Sequence, residues 1–545
     1  MADRIQSFKA ICKGGLNSNE NHIALADSEP GAATRLINFE PSLFGGYRRI
    51  EGYDYYDSDH PTVGDNTAEG KVLGVVMYRN EHLGNPYVIA ARKDVGLNTY
   101  SFWKYTPLVG WSKINTGTTR SYSVSGRTVN RIRFVQFDIG LGSFLALVDG
   151  VNPAMGFDGT TWYTLTSAGA GHSASPGGDQ AIDAPSIIDF FSNTLFLGGD
   201  YAYKSLICHS APNDPLDFKA SSGAGQIPVG FNVVQIKPFR DDLFVFGVNG
   251  IKKLRADVTA GFLIENVTSN VGCIARDSVV EVAGDLVFLA PDGFRPVAGT
   301  SRIGDVELET ISQPIKGRLQ DLIINNDMDE LVAVVVRAKS QVRYFFSDET
   351  TARVSGEGIL GGLTTNSGEI GWEYSELLGM RASCTTSEYV GREEFVLHGD
   401  YDGSLYREEI GYTFVDDPIA AIFSTPYLDF GDTEVRKILH KVNVFIRPEG
   451  PLELNLSLRY DWGDSDVAAP NSYESSSAGA PTVYGGRNIT YGGANVTYGG
   501  STKPVLVSDI QGSGFSVRAT FVCTGVFAPF SIQGLIFEFA LAGRR

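Results

Sequence analysis

The amino-acid sequence predicts an all-β protein: a β-propeller of six or seven blades, an extended N-terminal segment before it, and a C-terminal domain of β-sandwich type after it. Three observations carry that prediction. The 63 Gly, 24 Tyr and 32 Phe occur with almost no sustained helical spacing, which favours many short strands joined by tight turns. One local pattern returns through the middle of the chain, and a different, strictly alternating pattern takes over after about residue 415. With 43% hydrophobic and 20% charged residues over 545 positions, the chain is balanced for burial in more than one domain.

Residues 1–65 are polar, Gly-punctuated and aromatic, and read as an N-terminal arm and docking segment. They lack the continuous apolar core of a secretory leader, so the chain is expected to stay in the cytosol of the producing cell. Gly14 and Gly15 lead into Leu16-Asn17-Ser18-Asn19 rather than a Lys-Ser/Thr pair, which argues against a phosphate-cradling loop.

Residues 66–414 carry the repeat. An apolar run, a polar break, a second apolar run and then Gly or Asp recur in "FVQFDIGLGSFLALVDG", "IIDFFSNTLFLGGD", "VVQIKPFRDDLFVFGVNG" and "SVVEVAGDLVFLAPDG". The breaks Ser192-Asn193, Arg240-Asp241-Asp242 and Gly284-Asp285 have the turn chemistry of hairpins. Val88, Leu145, Leu195, Leu243, Leu286, Tyr344 and Phe395 mark the second runs; their separations by subtraction are 57, 50, 48, 43, 58 and 51, near the blade length of propeller repeats. Runs such as "LFVFG" suit inner blade strands covered on both faces. A pair of sandwiches is the alternative, and it does not require this spacing. One helix is expected in "ETISQPIKGRLQDLI", with Ser312 as cap, Pro314 in the first turn, and Ile315, Leu319 and Leu322 on one face.

From 415 to 545 the pattern is that of a half-buried antiparallel sheet: "LELNLSLRY" puts Leu452, Leu454, Leu456 and Leu458 on one side, and "FSVRATF" alternates likewise. A polar Ser/Gly-rich insertion, about 464–502, interrupts it and is expected to project. Within it Tyr484, Tyr491 and Tyr498 recur every seven residues by subtraction, each before Gly-Gly, and form the candidate tip loop.

Motifs for chemistry are weak. Seven histidines are scattered without metal-binding spacing, and the five cysteines lie far apart, reading as buried thiols rather than disulfides or a zinc site. "GHSAS" at 171–175 lacks the last Gly of a nucleophile elbow, and "DYDGSLY" around Asp400 and Asp402 lacks the remaining ligands of a calcium loop. No catalytic residue, cofactor or metal is expected. The sequons at Asn266, Asn455, Asn488 and Asn495 are read as unmodified. No run of about 18 to 20 apolar residues offers a membrane-spanning helix. A net charge of −18 argues against a protein that grips nucleic acid, and suits a surface that DNA passes without sticking. Trp103, Trp111 and Trp162 are expected in the core or at blade edges.

"FKAICKGGLNSNENHIALADSEPGAATRLINFEPSLFGGYRRIEGY" resembles the N-terminus of the tail nozzle, or tail tubular (stabilisation), proteins of short-tailed podovirus-type bacteriophages. Lys13-Gly14-Gly15, Asn38, Gly45-Gly46 and Arg48-Arg49 carry that likeness, and "YLDFGDTEVRKILHKVNVFI" and "SIQGLIFEFALAGRR" resemble the sheet that follows the propeller there. The Tyr-Gly-Gly repeat has no counterpart in the family pattern. The resemblance implies a homohexameric ring below the tail adaptor protein, enclosing the DNA exit channel and offering docking surfaces for tail fibres. It implies a virion protein at the distal part of the tail, assembled in the host cytoplasm, with DNA passing without sequence-specific binding. On that reading Phe39, Phe44, Tyr47, Arg48, Arg49 and Tyr53 are candidate assembly contacts to a neighbour or the adaptor; the other reading has the segment cap the first blade. The alternatives to a nozzle are a tail hub or fibre-adaptor protein, and a propeller that hydrolyses or binds carbohydrate.

Overall fold

The computed structural model describes residues 5–64, 70–79, 86–107, 109–139, 142–257, 261–297, 310–366, 369–464, 469–477 and 504–544. Seven antiparallel sheets follow one another along the chain and close into a β-propeller. Six have four or more strands, and the fifth has three among the described residues. Their innermost strands are Val72–Tyr78, Arg133–Asp138, Ile187–Phe191, Val233–Phe239, Val280–Val282, Val332–Val336 and Cys384–Val390, and all seven line one axial cavity. Each of the seven residues that marked the sequence repeat lies on the second strand of its blade, from Val88 in Tyr87–Lys93 to Phe395 in Glu393–Gly399. Those second strands are the most buried, Phe144 to Val148 and Leu286 to Ala290 without a break, because neighbouring blades cover both faces.

Two of the expected hairpin breaks form two-residue turns, one of them displaced. Ser192 and Asn193 both take positive φ, 49° and 55°, in a two-residue hairpin between Phe191 and Thr194. The expected break at Gly284-Asp285 lies one residue earlier: Ala283 and Gly284 have φ of 54° and 80°, and Asp285 already pairs with Val282. The helix forms as Gln313–Ile315 followed by Lys316–Asn325, burying Ile315, Leu319 and Leu322. Ser312 does not cap it; its Oγ accepts the Phe294 N–H 2.9 Å away. A second helix, His22–Ser28, had no periodic signal and starts where Asn21 accepts the Ile23 N–H.

Both chain ends build the sandwich. One sheet runs Phe39–Pro41, Tyr47–Arg49, Phe530–Arg544, Val435–Pro448, Val505–Asp509, with Gln6–Ile11 also on Phe530–Arg544. The facing layer is Arg35–Ile37, Ala421–Ser424, Val517–Cys523, Leu452–Tyr460, Tyr473–Ser477. Leu452, Leu454, Leu456 and Leu458 are buried between the layers, as their alternation predicts. Tyr473–Ser477, at the start of the insertion expected to project, instead extends the sheet edge beside Leu452–Leu456.

The two halves are not separate bodies on a tether. Arg35–Ile37 pairs in parallel with the outermost strand of the sixth blade, Ile37 opposite Glu376, so that one sheet continues from propeller to sandwich. Tyr53–Tyr55 adds the fourth strand to the seventh blade, antiparallel to Leu405–Glu408, with Thr413–Phe414 paired on its far side. A single hydrophobic core runs from Leu289, Leu319 and Tyr344 to Leu454, Phe521 and Phe537.

Candidate functional site

The residues expected to reach a neighbouring subunit are mostly inside this one, which corrects the picture of an extended arm. Phe39, Tyr47, Arg49 and Tyr53 are each at most 1% exposed. The Tyr47 hydroxyl donates to the carbonyls of Lys13 (2.7 Å) and Gly31 (2.9 Å), and Tyr53 to that of Gly379 (2.9 Å). Arg49 donates to the carbonyls of Phe527, Ile419 and Gly525, with no carboxylate among those partners, so burial lowers its pKa. Arg48 is bound by Glu40 (2.6 Å), Glu51 (2.9 Å) and Glu449 (2.6 Å). The physical reason is pairing: three-residue strands at 35–37, 39–41 and 47–49 find backbone partners within the chain, and their alternate side chains turn inward. Nor do these residues cap the first blade; Tyr53 completes the last.

Phe44 is the exception. It stands at the tip of the turn between Phe39–Pro41 and Tyr47–Arg49, 63% exposed beside Leu43 at 86%, with the Arg447 guanidinium 3.4 Å from its ring centroid. Gly46 makes the turn possible: its φ is 84°, and a Cβ there would lie 2.1 Å from the Ile532 carbonyl. Tyr484, Tyr491 and Tyr498 lie outside the described residues.

Under the tip lies a charged seam that sequence reasoning missed. Glu40, 2% exposed, takes Lys339 (2.8 Å) and Arg48; Arg343 reaches Glu408 (2.6 Å) and Glu409; and His398 Nδ1 sits 3.0 Å from Glu408. Burial opposes ionisation of Glu408, but His398 and Arg343 outweigh it and hold the carboxyl below its ordinary value. Residues from the N-terminus, the sixth blade and the seventh meet here, a juxtaposition no local spacing announces.

A second charged set bridges the propeller axis. Arg131, entering the second blade, donates to the carbonyls of Ser383 (2.8 Å), Glu330 (3.0 Å) and Leu331 (2.9 Å) and to Asp277. Arg133 grips the same Asp277 through Nε (2.8 Å) and a terminal nitrogen (2.6 Å). Burial pushes the Asp277 carboxyl up, yet Arg133 and Arg131 outweigh it and hold the group well below the carboxylate range. Lys237 adds a pair with Asp189 at 2.9 Å. The ties to Asp277 reach from the second blade to the turn that precedes the fifth, across the ring, while Lys237 and Asp189 join the neighbouring fourth and third blades. The signal available in the sequence was a charge inside some of the apolar runs, as in "NRIRF" and "VQIKPF".

The remaining motifs resolve into structure. All five cysteines are free and buried. Asp400 accepts both Arg381 nitrogens (2.6 and 2.9 Å), and Asp402 accepts the Ser404 N–H, a hairpin-turn arrangement. Trp111 is buried, while Trp103 and Trp162 are half-buried on blade strands. Among the described residues no three His, Cys, Asp or Glu side chains gather as a metal ion would need. No helix there is long and apolar enough to cross a membrane.

No protein-family model matches the chain, and no curated protein does. Solved structures similar to it include an ancestral GH74 enzyme, at 10% identity and TM-score 0.34 over 70% of this chain; the match spans about half (51%) of that protein's length. Hsv2 of Kluyveromyces lactis is similar at 10% identity and TM-score 0.27, over 56% of this chain and 98% of its own. BBS1N, solved in complex with ARL6DN, is similar at 11% identity and TM-score 0.36, over 66% and 98%.

Proposed function

We propose that this chain is a structural virion protein, a tail nozzle subunit of a short-tailed bacteriophage. Copies assemble head to tail into a ring, six by the family resemblance, around the path by which DNA leaves. The role is mechanical rather than enzymatic. The observation that carries the reading is where the family-like residues sit. Gly15 (φ 65°) packs so tightly on the sixth blade that a Cβ would lie 2.8 Å from the Tyr374 nitrogen. Asn38 (φ 56°) bonds Leu378 and Ala420, and Arg49 ties the seam to 525–527. These residues join propeller to sandwich as one body, which suits a ring that must transmit load. The ion pairs across the propeller axis support a DNA path between copies rather than through any one propeller. The −18 charge favours passage without tight phosphate contact. The Leu43-Phe44 tip is the surface best formed to meet the adaptor ring or a fibre.

The test is to label intact particles with an antibody raised against the chain and average the labelled region. Sixfold density at the distal end of a short tail is the expected result. Density elsewhere along the tail axis would favour a hub or fibre-adaptor role, and particles without label would overturn the virion reading.

A further inference from the structure

In a chain with a large negative charge, positive charge gathers at one mouth of the propeller axis. The cavity there has a volume of about 470 Å³, and five cations line it, Arg127, Arg131, Arg133, Lys204 and Arg276, against Asp149, Asp200 and Asp329. Two of the three carboxylates are already occupied. Asp149 accepts from Arg120 (3.0 Å), Tyr100 (2.5 Å), Asn152 Nδ2 (2.7 Å) and the N–H groups of Val151 and Asn152; Asp200 accepts the N–H groups of Ala184 (3.0 Å) and Ala202 (2.7 Å). Arg131 and Arg133 are held by Asp277.

Arg127, Lys204 and Arg276 are different, for among the described residues none of them forms an ion pair. Arg127 and Lys204 lie 5.4 and 5.2 Å from the ring centroid of Tyr201, which is 66% exposed and keeps both cations at the mouth. Arg276 lines the same cavity and donates Nε to the Val234 carbonyl at 3.0 Å. Burial first, and then the neighbouring Arg133, push its guanidinium down to about 10, against the opposing pull of Asp277 and Asp329. Five cations against three carboxylates leave an excess of positive charge at the mouth, which a bound anion would relieve.

We propose that this mouth binds a small multivalent oxyanion of the phosphate class, held by Arg127, Lys204 and Arg276. The volume is that of a small-molecule site. Guanidinium and ammonium donors make charge-assisted hydrogen bonds to phosphate oxygens. The inference rests on the propeller alone and stands whether or not the chain belongs to a tail.

The experiment is calorimetric titration of the full chain with inorganic tripolyphosphate, and separately with a ten-nucleotide single strand. Expected is saturable binding of one tripolyphosphate per chain, weakened about tenfold or more in the double variant R127A/K204A. Lys316→Ala with Lys441→Ala removes the same charge elsewhere and should leave the affinity unchanged. Lys204 is exposed and Arg127 half-buried, and both side chains lie against the exposed Tyr201, so the double variant should unfold like the parent in phosphate-free buffer; Arg276→Lys, which keeps the charge, should retain binding. Three results would overturn the proposal: no saturable binding at millimolar tripolyphosphate, unchanged affinity in R127A/K204A, or tighter binding of the oligonucleotide, which would make the mouth a nucleic-acid contact.

Discussion

Asp277 shows how much one half-buried side chain can carry when it faces two guanidinium groups, one of them buried. Removing it as Asp277→Ala leaves Arg131 and Arg133 facing each other without a counter-ion, and breaking a buried pair in this way costs about 3 to 5 kcal/mol. Denaturant unfolding at neutral pH should show that loss. The sign of the pH dependence follows from the direction of the shift. The folded-state carboxyl titrates below its unfolded value of about 3.9, so its stabilisation is fully present above that value and is lost as pH falls through the folded one. The thiols give the opposite case. Burial pushes Cys273 and Cys384 up to about 11, so neither is a thiolate at neutral pH. A disulfide reagent should leave both unmodified in the native protein and react with all five cysteines once the chain is unfolded.

At the scale of single elements, turn chemistry divides into positions the sequence satisfies and positions it tolerates. Ala283 adopts a φ of 54° in the fifth-blade hairpin, where a non-Gly residue with a Cβ and no local hydrogen bond is disfavoured by about 1 to 2 kcal/mol. Ala283→Asn, beside Gly284, should therefore stabilise the protein by about 0.5 to 1 kcal/mol, read as a raised Tm. Gly46 is the reverse. A methyl group there meets the Ile532 carbonyl, so Gly46→Ala should displace the Leu43-Phe44 tip and cost about 1 to 3 kcal/mol. The tip's amide exchange should speed up in that variant while the propeller's does not.

At the scale of the whole molecule, the N-terminus is a structural member of both halves. Residues 6–11, 35–41 and 47–49 contribute strands to the sandwich, and 53–55 to the seventh blade. Deleting residues 1–51 should therefore not leave a folded body that merely fails to dock. It should remove the cooperative transition of the sandwich and yield aggregation-prone protein with unpaired strand edges, seen as lost near-ultraviolet circular dichroism and early light scattering. The intact chain, with one core running from blades to sandwich, should unfold by heat in one transition seen alike by both halves.

The blades were legible along the chain: apolar runs, polar breaks and a period near fifty residues are local signals, because each blade is a meander of adjacent strands. So were the inward leucines of 452–460 and the buried face of 316–325, since periodicity of two and of 3.6 is written along the chain. Only the tertiary structure decided where the first fifty residues go. Pairings such as Phe8 with Phe537 and Tyr53 with Glu408 span hundreds of positions, and three-residue strands carry too little pattern to announce a partner. It likewise decided the charge clusters, because Arg131 and Arg133 reach Asp277, and Glu40 reaches Arg343, only when the ring closes and the sheet of the sixth blade runs on into the sandwich.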